Sequence, residues 1–581
     1  MKSFFTTFFA VLAALVLLPL LLLLAVGSIA GSMGPQVPIV ENDTVLVINL
    51  DENITDSPRM PSFNQGGSLL NMSFVHSLTM LDLIEALEAA AHDENIEALY
   101  INFTGSGSIP STAQMEEIRE LLKEFKLTSG KPIVAYNETY TQGSYWLASV
   151  ADKIYMNPQG GLDWRGLASQ SLFYKGAIDK LGVDVQIVRH GTYKSAVEPY
   201  MLTEMSPANR RQSEAMVNVM WNSIVDDVAA SRSLAPEFLR AYAATLAISS
   251  PQKALELGLV DGLKYEDEVE GELALLTDCK KPNKLTLGEY CSTLTPKKVS
   301  PNKVAIIYAD GQIADGVGSE GVVGGATTAE QVRRAREDES VKAVVLRVNS
   351  PGGSALASEV MWRELQLLGE EKPLVVSMSG YAASGGYYIS SPAAKILSQR
   401  TTLTGSIGVF GVIVSAGGVL KDKIGITVDV AKTSPHADMG TGFRPLSPAE
   451  MNYMQRSVED VYTTFVSRVS AGRNMTPEAV NAIGEGRVWC GADAKEIGLV
   501  DEFGGLKEAL CVAAECADLD GNWRAVEILE EEDELTAMLN TLFGAKAPRL
   551  KGLAGSLEGV ARMLEGGTSI QARMPYDITI Y

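Results

Sequence analysis

The chain reads as short, nearly unbroken apolar runs separated by longer amphipathic stretches. VAIIYADG from Val304 predicts a strand ended by glycine, VKAVVLRVNS from Val341 a second strand, and KPLVVSM from Lys372 a third. Between them, TTAEQVRRAREDES predicts a helix capped at Thr327 with a glutamate three residues on, and SALASEVMWRELQLLG from Ser354 predicts another. AASGGYYISSPAA supplies a small-residue helix. Apolar strands that each lead into a helix imply an α/β fold whose mostly parallel sheet is covered on both faces. Ligand sites in such sheets lie beyond the C-terminal strand ends, where the glycine loops of this chain fall.

The pattern occurs twice. KPIVAYNETYTQGSYWLASVADKIYMNP at Lys131 parallels KPLVVSMSGYAASGGYYISSPAAKILSQ at Lys372, an offset of about 241 residues. ENIEALYINFTGSG near Glu94 matches ESVKAVVLRVNSPGG near Glu339, and MSPANRRQSEAM at Met205 matches LSPAEMNYMQRSVEDV at Leu446. ALELGLVDGL near Ala254 matches AKEIGLVDEF near Ala494. Four ordered matches at nearly constant spacing predict a duplicated domain, 42–270 and 300–515, joined by a polar linker, 271–299, and followed by an extension, 516–581. In that extension LNTLFG and SLEGVARML are apolar enough to pack on a partner or on the body, and EILEEEDEL reads as a solvated face.

The N-terminus departs from this pattern. Residues 8–29 carry no charge, and a helix of that length spans about 33 Å against a bilayer core of about 30 Å. A retained single-pass anchor is expected, the alternative being a secretory signal cleaved near Ala30. Lys2 precedes the run and Glu41 and Asp43 follow it, which favours a cytoplasmic N-terminus and an extracytoplasmic body. A net charge of −22 argues against nucleic-acid partners. Five cysteines without CxxC spacing cannot all pair within the chain, although Cys279 and Cys291 could; four scattered histidines make a metal site improbable, and no cofactor is implied.

Three glycine-rich stretches carry candidate chemistry. In RVNSPGG, Gly352 and Gly353 lie between a strand and a helix, where exposed amides suit an anionic transition state; the stretch matches no phosphate-loop pattern. Ser384, among small residues at a helix start, and Ser406, between Gly405 and Gly408, are both candidate nucleophiles. Neither has a plausible histidine and aspartate beside it, since His436 lies in a polar loop. A lysine then becomes the candidate base, provided burial brings its pKa down from about 10.4 toward working pH. Lys194, in GTYKSAVEPY, has apolar and hydroxyl neighbours that fit; Glu198 would oppose the shift if it pointed inward.

With GTYKSAVEP, NSPGG, GYAASGGYYIS and LTGSIGV together, the chain resembles the long, duplicated form of bacterial signal peptide peptidase A, or protease IV, across its whole body. The resemblance implies caseinolytic-protease and crotonase-like domains, a serine endopeptidase with a Ser-Lys dyad, and a home in the bacterial inner membrane with the catalytic body outside the cytoplasm. It implies Ser406 as nucleophile, Lys194 as general base and acid, and a structural part for Ser384. Backbone amides at Gly352 or Gly353 are expected at the oxyanion, with Ser195 as an auxiliary to the amine. It also implies hydrophobic peptide substrates, including signal peptide remnants, and a homotetramer. The repeat fits a divided site, because Trp164 falls opposite Ser406 and SPHADMG, which has no lysine, falls opposite Lys194. The alternatives are a crotonase-like acyl-CoA enzyme and a noncatalytic membrane scaffold.

Overall fold

The computed structural model describes residues 38–49, 54–58, 62–63, 74–75, 78–105, 110–294, 300–319, 321–529 and 571–573. Its first unit contains β1 (Thr44–Asn49), a short hairpin of β2 (Ser62–Phe63) and β3 (Phe74–Val75), β4 (Ile96–Asn102), β5 (Ile133–Tyr140), β6 (Lys153–Leu162), β7 (Asp184–His190), β8 (Gly262–Leu263) and β9 (Asn283–Thr286). The second contains β10 (Lys303–Asp310), β11 (Gln312–Ala314), β12 (Val322–Gly324), β13 (Val341–Ser350), β14 (Gly352–Ser354), β15 (Leu374–Ala383), β16 (Lys395–Ser398), β17 (Leu403–Gly405), β18 (Val409–Ser415), β19 (Val488–Cys490), β20 (Glu502–Phe503), β21 (Arg524–Glu527) and, far along the chain, β22 (Gln571–Arg573).

Two parallel sheets follow one plan. The first runs β8-β6-β5-β4-β1-β9, and the second repeats that order as β20-β16-β15-β13-β10-β21, with β17 and β19 added as a branch from β15 in which the two pair antiparallel. Nearly unbroken apolar runs in the central strands bury them on both faces. Leu46, Leu99 and Ile133 from the first sheet share one core with Val304, Val345 and Val375 from the second, so one face of each sheet meets the other unit's packing. A third, mixed sheet runs β12-β11-β14-β22-β18-β7 and joins the units directly, because β7 of the first pairs antiparallel with β18 of the second, from Val409 opposite His190 to Ser415 opposite Asp184.

Several expected boundaries move. The stretch taken as a linker contributes β9, which pairs with β1, and a helix at Leu287–Thr293; Leu285, Leu287 and Tyr290 are buried within that otherwise polar string. β21 does the same beyond residue 516 by pairing with β10. Each sheet thus needs an edge strand that the repeat boundaries left out. The helix expected to start at Thr327 begins at Gly325, and the Thr327 hydroxyl instead accepts from the Gly318 amide at 3.1 Å. All five cysteines are free thiols, including Cys279 and Cys291. The anchor expected at 8–29, LNTLFG and SLEGVARML lie outside the described residues, among which no helix is long and apolar enough to cross a membrane.

Ionic groups are buried along the seam between units. Arg347, on β13, donates to Asp56 at 2.7 Å and Glu117 at 2.6 Å, both from the first unit, and all three side chains are enclosed. Asp56 also accepts from Gln114 and from Ser379 on β15. Burial pushes the Glu117 carboxyl up, against the pull of Arg347 and the Leu506 amide. Arg400, just before β17, pairs with Glu116 and Asp227. Removing one member of such a group strands the others without solvent. Arg347→Met should therefore cost about 3–5 kcal/mol, read as a lowered denaturant midpoint.

Candidate active site

β15 ends at Ala383 and leads into Ser384, the N-cap of a helix at Gly385–Ser390. Ser384 has φ 57 and ψ −113, a conformation that L residues avoid and that costs about 1–3 kcal/mol. It is held there by the ladder itself. Ala383 pairs with Gly405 of β17, and the Ser384 amide donates to the Gly405 carbonyl at 2.7 Å. The same strand then delivers Ser406 alongside, with φ 50 and its amide bonded to the Arg487 carbonyl at 2.7 Å. β14 closes the other side: a Cβ on Gly385 would lie 3.2 Å from the Gly353 amide nitrogen, so the Gly352–Gly353 backbone abuts the helix start that follows Ser384.

Lys194 reaches this point from the first unit. Its backbone follows β7, and the Tyr193 amide is tied to the Glu485 carbonyl at 2.9 Å. The amine nitrogen lies 2.8 Å from Ser384 Oγ, 3.0 Å from Ser406 Oγ and 3.0 Å from the Ser406 carbonyl oxygen, all within hydrogen-bond reach. The side chain is wholly enclosed, and burial alone holds its pKa well below that of an ordinary lysine. Glu198, which could have opposed this, is turned to the Ser206 amide and the Asn209 side chain.

The hydrogens can be assigned by counting. A neutral amine has two N–H groups and one lone pair. One N–H must go to the Ser406 carbonyl, which can only accept. Ser406 Oγ can pass its own hydrogen to the Gly486 carbonyl, 3.4 Å away, and so can accept the second N–H. The lone pair is then left for Ser384, whose hydroxyl has the amine as its hydrogen-bond partner.

The site gathers Lys194, Ser384, Ser406, Gly352 and Gly353, but not Ser195. The Ser195 hydroxyl donates to the Tyr193 carbonyl at 3.1 Å and accepts from Gln212 at 2.6 Å, so it braces the loop rather than the amine. Two supports escaped the sequence reading. Gln212, enclosed, also accepts from the Val488 amide and ties the lysine loop to β19. Gly486, at φ 80, leaves no room for a side chain: a Cβ there would lie 2.6 Å from the Lys194 backbone nitrogen. The glycine in EGRVW was its only trace. Among the described histidines, His190 and His436 are paired with Glu459 and Glu450.

The matching place in the first unit is blocked. Tyr145 and Tyr387 donate to the Leu259 and Leu499 carbonyls, and each lies three residues after the position compared, Gln142 and Ser384. Gln142 accepts from the Arg165 and Gly166 amides, and Trp164, opposite Ser406, is buried with its indole bonded to the Leu239 carbonyl.

The profile of Peptidase family S49 matches residues 126–280 and again 366–520. The chain therefore belongs to family S49, in the long, duplicated arrangement, and is a serine peptidase. It is 41% identical to Protease 4 of Salmonella typhi over 80% of this chain and 76% of that one. With Protease 4 of Haemophilus influenzae the identity is 36%, over 84% and 82%, and with the chloroplastic serine protease SPPA of Arabidopsis thaliana 31%, over 92% and 78%. The acyl-CoA enzyme and the noncatalytic scaffold give way to this assignment. Gly486→Ala should displace the lysine while sparing both cores. A misplacement of about 1 Å at a reacting group costs on the order of 100-fold, so kcat on a peptide should fall by about that much with thermal stability little changed.

Proposed function

We propose that the chain is a membrane-anchored endopeptidase using a Ser-Lys dyad in which Lys194 is the general base and Ser384, rather than Ser406, is the nucleophile. The observation that carries this is the hydrogen count at the amine, which leaves the lone pair to Ser384. The forced backbone at Ser384 and the adjacent Gly353 and Gly385 amides favour it as well. Ser406, the nucleophile that the resemblance implied, orients the amine in this reading. The caseinolytic-protease and crotonase-like fold implied by the resemblance belongs to the same reading, as do the domain assignments, with β9 and β21 added to their units.

In the reaction the Ser384 hydroxyl gives its proton to Lys194 as its oxygen bonds the scissile carbonyl carbon. The Gly353 and Gly385 amides take the oxyanion, and the lysine ammonium protonates the leaving amine as the C–N bond breaks. A water gives a proton to the regenerated amine as its oxygen bonds the acyl carbon, and the lysine ammonium then protonates Ser384 Oγ as the acyl ester bond breaks. General-base help of this kind is worth about 10²–10⁴-fold. The groove between β14 and β18 accepts an extended backbone, since β22 pairs there with Gly352–Ser354 and Phe410; a substrate peptide would bind in the same fashion. Hydrophobic substrates such as signal peptide remnants, an inner-membrane anchor at 8–29 and a homotetramer complete the reading on the strength of the resemblance.

A fluorophosphonate probe followed by peptide mapping should label Ser384 in the parent and in Ser406→Ala, and nothing in Ser384→Ala. Label on Ser406, or retained hydrolysis in Ser384→Ala, would restore Ser406 as nucleophile. The lysine gives a separate check. Its folded pKa is depressed, so below about 10.4 the unfolded chain binds a proton that the folded chain does not, and stability is lost as pH falls. Lys194→Met should abolish turnover yet melt above the parent near pH 7, with the difference closing as pH rises toward about 10.

A further inference from the structure

The two ends of β14 lead to different places. Gly352 and Gly353 abut the helix start that follows Ser384, whereas Ser354 passes into a helix at Ala355–Glu371, away from the amine. β22 runs antiparallel to β14, with Arg573 opposite Gly352, Ala572 opposite Gly353 and Gln571 opposite Ser354. A peptide bound in the same fashion has its reacting carbonyl at the glycine end. Whatever precedes the residue opposite Ser354 must then leave the groove past the start of the Ala355–Glu371 helix.

Three apolar side chains stand open at that exit. Leu356, in the first turn of the helix, is 66% exposed, and Val360, one turn on along the same face, is 42% exposed. Val317, 79% exposed, belongs to the loop after β11. β11 pairs parallel to β14, Ile313 with Gly353, so this loop leaves the sheet at the same end as Ser354. Hydrogen bonds hold it there: the Ser354 hydroxyl donates to Asp315, and the Ala326 amide donates to the Gly316 carbonyl at 2.9 Å. A Cβ on Gly325 would lie 2.8 Å from that of Ala357, so the loop, the helix at Gly325–Glu337 and the start of the Ala355–Glu371 helix form one rim. The opposite wall is a strand edge. β18 meets β22 only at Phe410 and gives its other edge to β7, so from Gly411 onward the edge on the groove side has no ladder partner among the described residues. Single exposed apolar residues are ordinary on a surface. Three on one braced rim, across a groove from an open strand edge, suit an extended apolar chain, which bonds backbone on one side and buries side chains on the other.

We infer that Val317, Leu356 and Val360 form a specificity rim that takes apolar side chains of the substrate on the N-terminal side of the bond being cut, beyond the residue opposite Ser354. The inference rests on the groove proposed above and is independent of which serine attacks, since both lie at the glycine end. It makes the enzyme selective for length and polarity together. A peptide too short to pass Ser354 gains nothing from the rim, and one that passes it gains for each apolar side chain laid there.

The test compares two peptides on the full chain in detergent, with the cleaved bond mapped by mass spectrometry. One has its N-terminus at the residue that pairs with Ser354; the other is the same peptide extended by a leucine-rich stretch. Extension should raise kcat/KM by about tenfold, mostly through KM, and a serine-rich extension should give no gain. In the double variant Leu356→Gln, Val317→Ser the ratio of extended to short kcat/KM should fall to near one. A photoreactive group on the first added residue should label the tract 315–318 or 355–360. A double variant that keeps the gain, or label confined to other tracts, would overturn the inference. Equal hydrolysis of short and leucine-extended peptides by the parent would overturn it too, while leaving the catalytic reading standing. Turnover of the short peptide by Lys194→Met would sink the catalytic reading instead, and the labelling would still decide the rim. A double variant that changes sedimentation and keeps the ratio would assign the patch to contact between copies and so remove it from substrate binding.

Discussion

The structure depends on keeping one amine dry. A lysine exposed to water at neutral pH is an ammonium ion and cannot take a proton; enclosed, with no carboxylate beside it, it is driven toward the neutral form. Enclosure requires walls from two directions. Here the arm comes from the first unit and the hydroxyls from the second, so the two must meet without a water-filled gap. The large shared core and the β7–β18 ladder supply that fit.

The ionic seam makes sense on the same terms. Apolar packing holds units together but tolerates small slides, whereas Arg347 reaching Asp56 and Glu117, and Arg400 reaching Glu116 and Asp227, fix direction as well as distance. Both groups touch the strands that carry the serines: Asp56 binds Ser379 on β15, and Arg400 lies three residues before β17. Burial of so many charges is costly as a means of stability, and its benefit falls on registry at the site.

Duplication explains why the cost is borne once. Two copies of the fold provide two possible junctions, and only one combines a small-residue helix start with a lysine. In the other, Gln142 seals the backbone at 165–166 and Trp164 fills the remaining space. The first unit therefore acts as scaffold and lysine donor, and the second carries the hydroxyls and the glycine strand.

The sequence by itself determined the repeat, the strand and helix succession and Lys194 as the base candidate, because each rests on local pattern: apolar runs, caps, and a lysine without a competing histidine. Edge strands such as β9 stayed hidden, since a four-residue strand at a sheet margin carries too little apolar signal to stand out from polar surroundings. Only the tertiary structure shows that both serines reach the one amine. Ser384 and Ser406 look alike along the chain, each a hydroxyl among glycines, and in the proposed reading what separates them is the Gly486 carbonyl, 3.4 Å from Ser406 Oγ and 80 residues beyond it in the chain. Hydrogen-bond capacity is counted in space, among groups brought together from both units, and no local spacing encodes it.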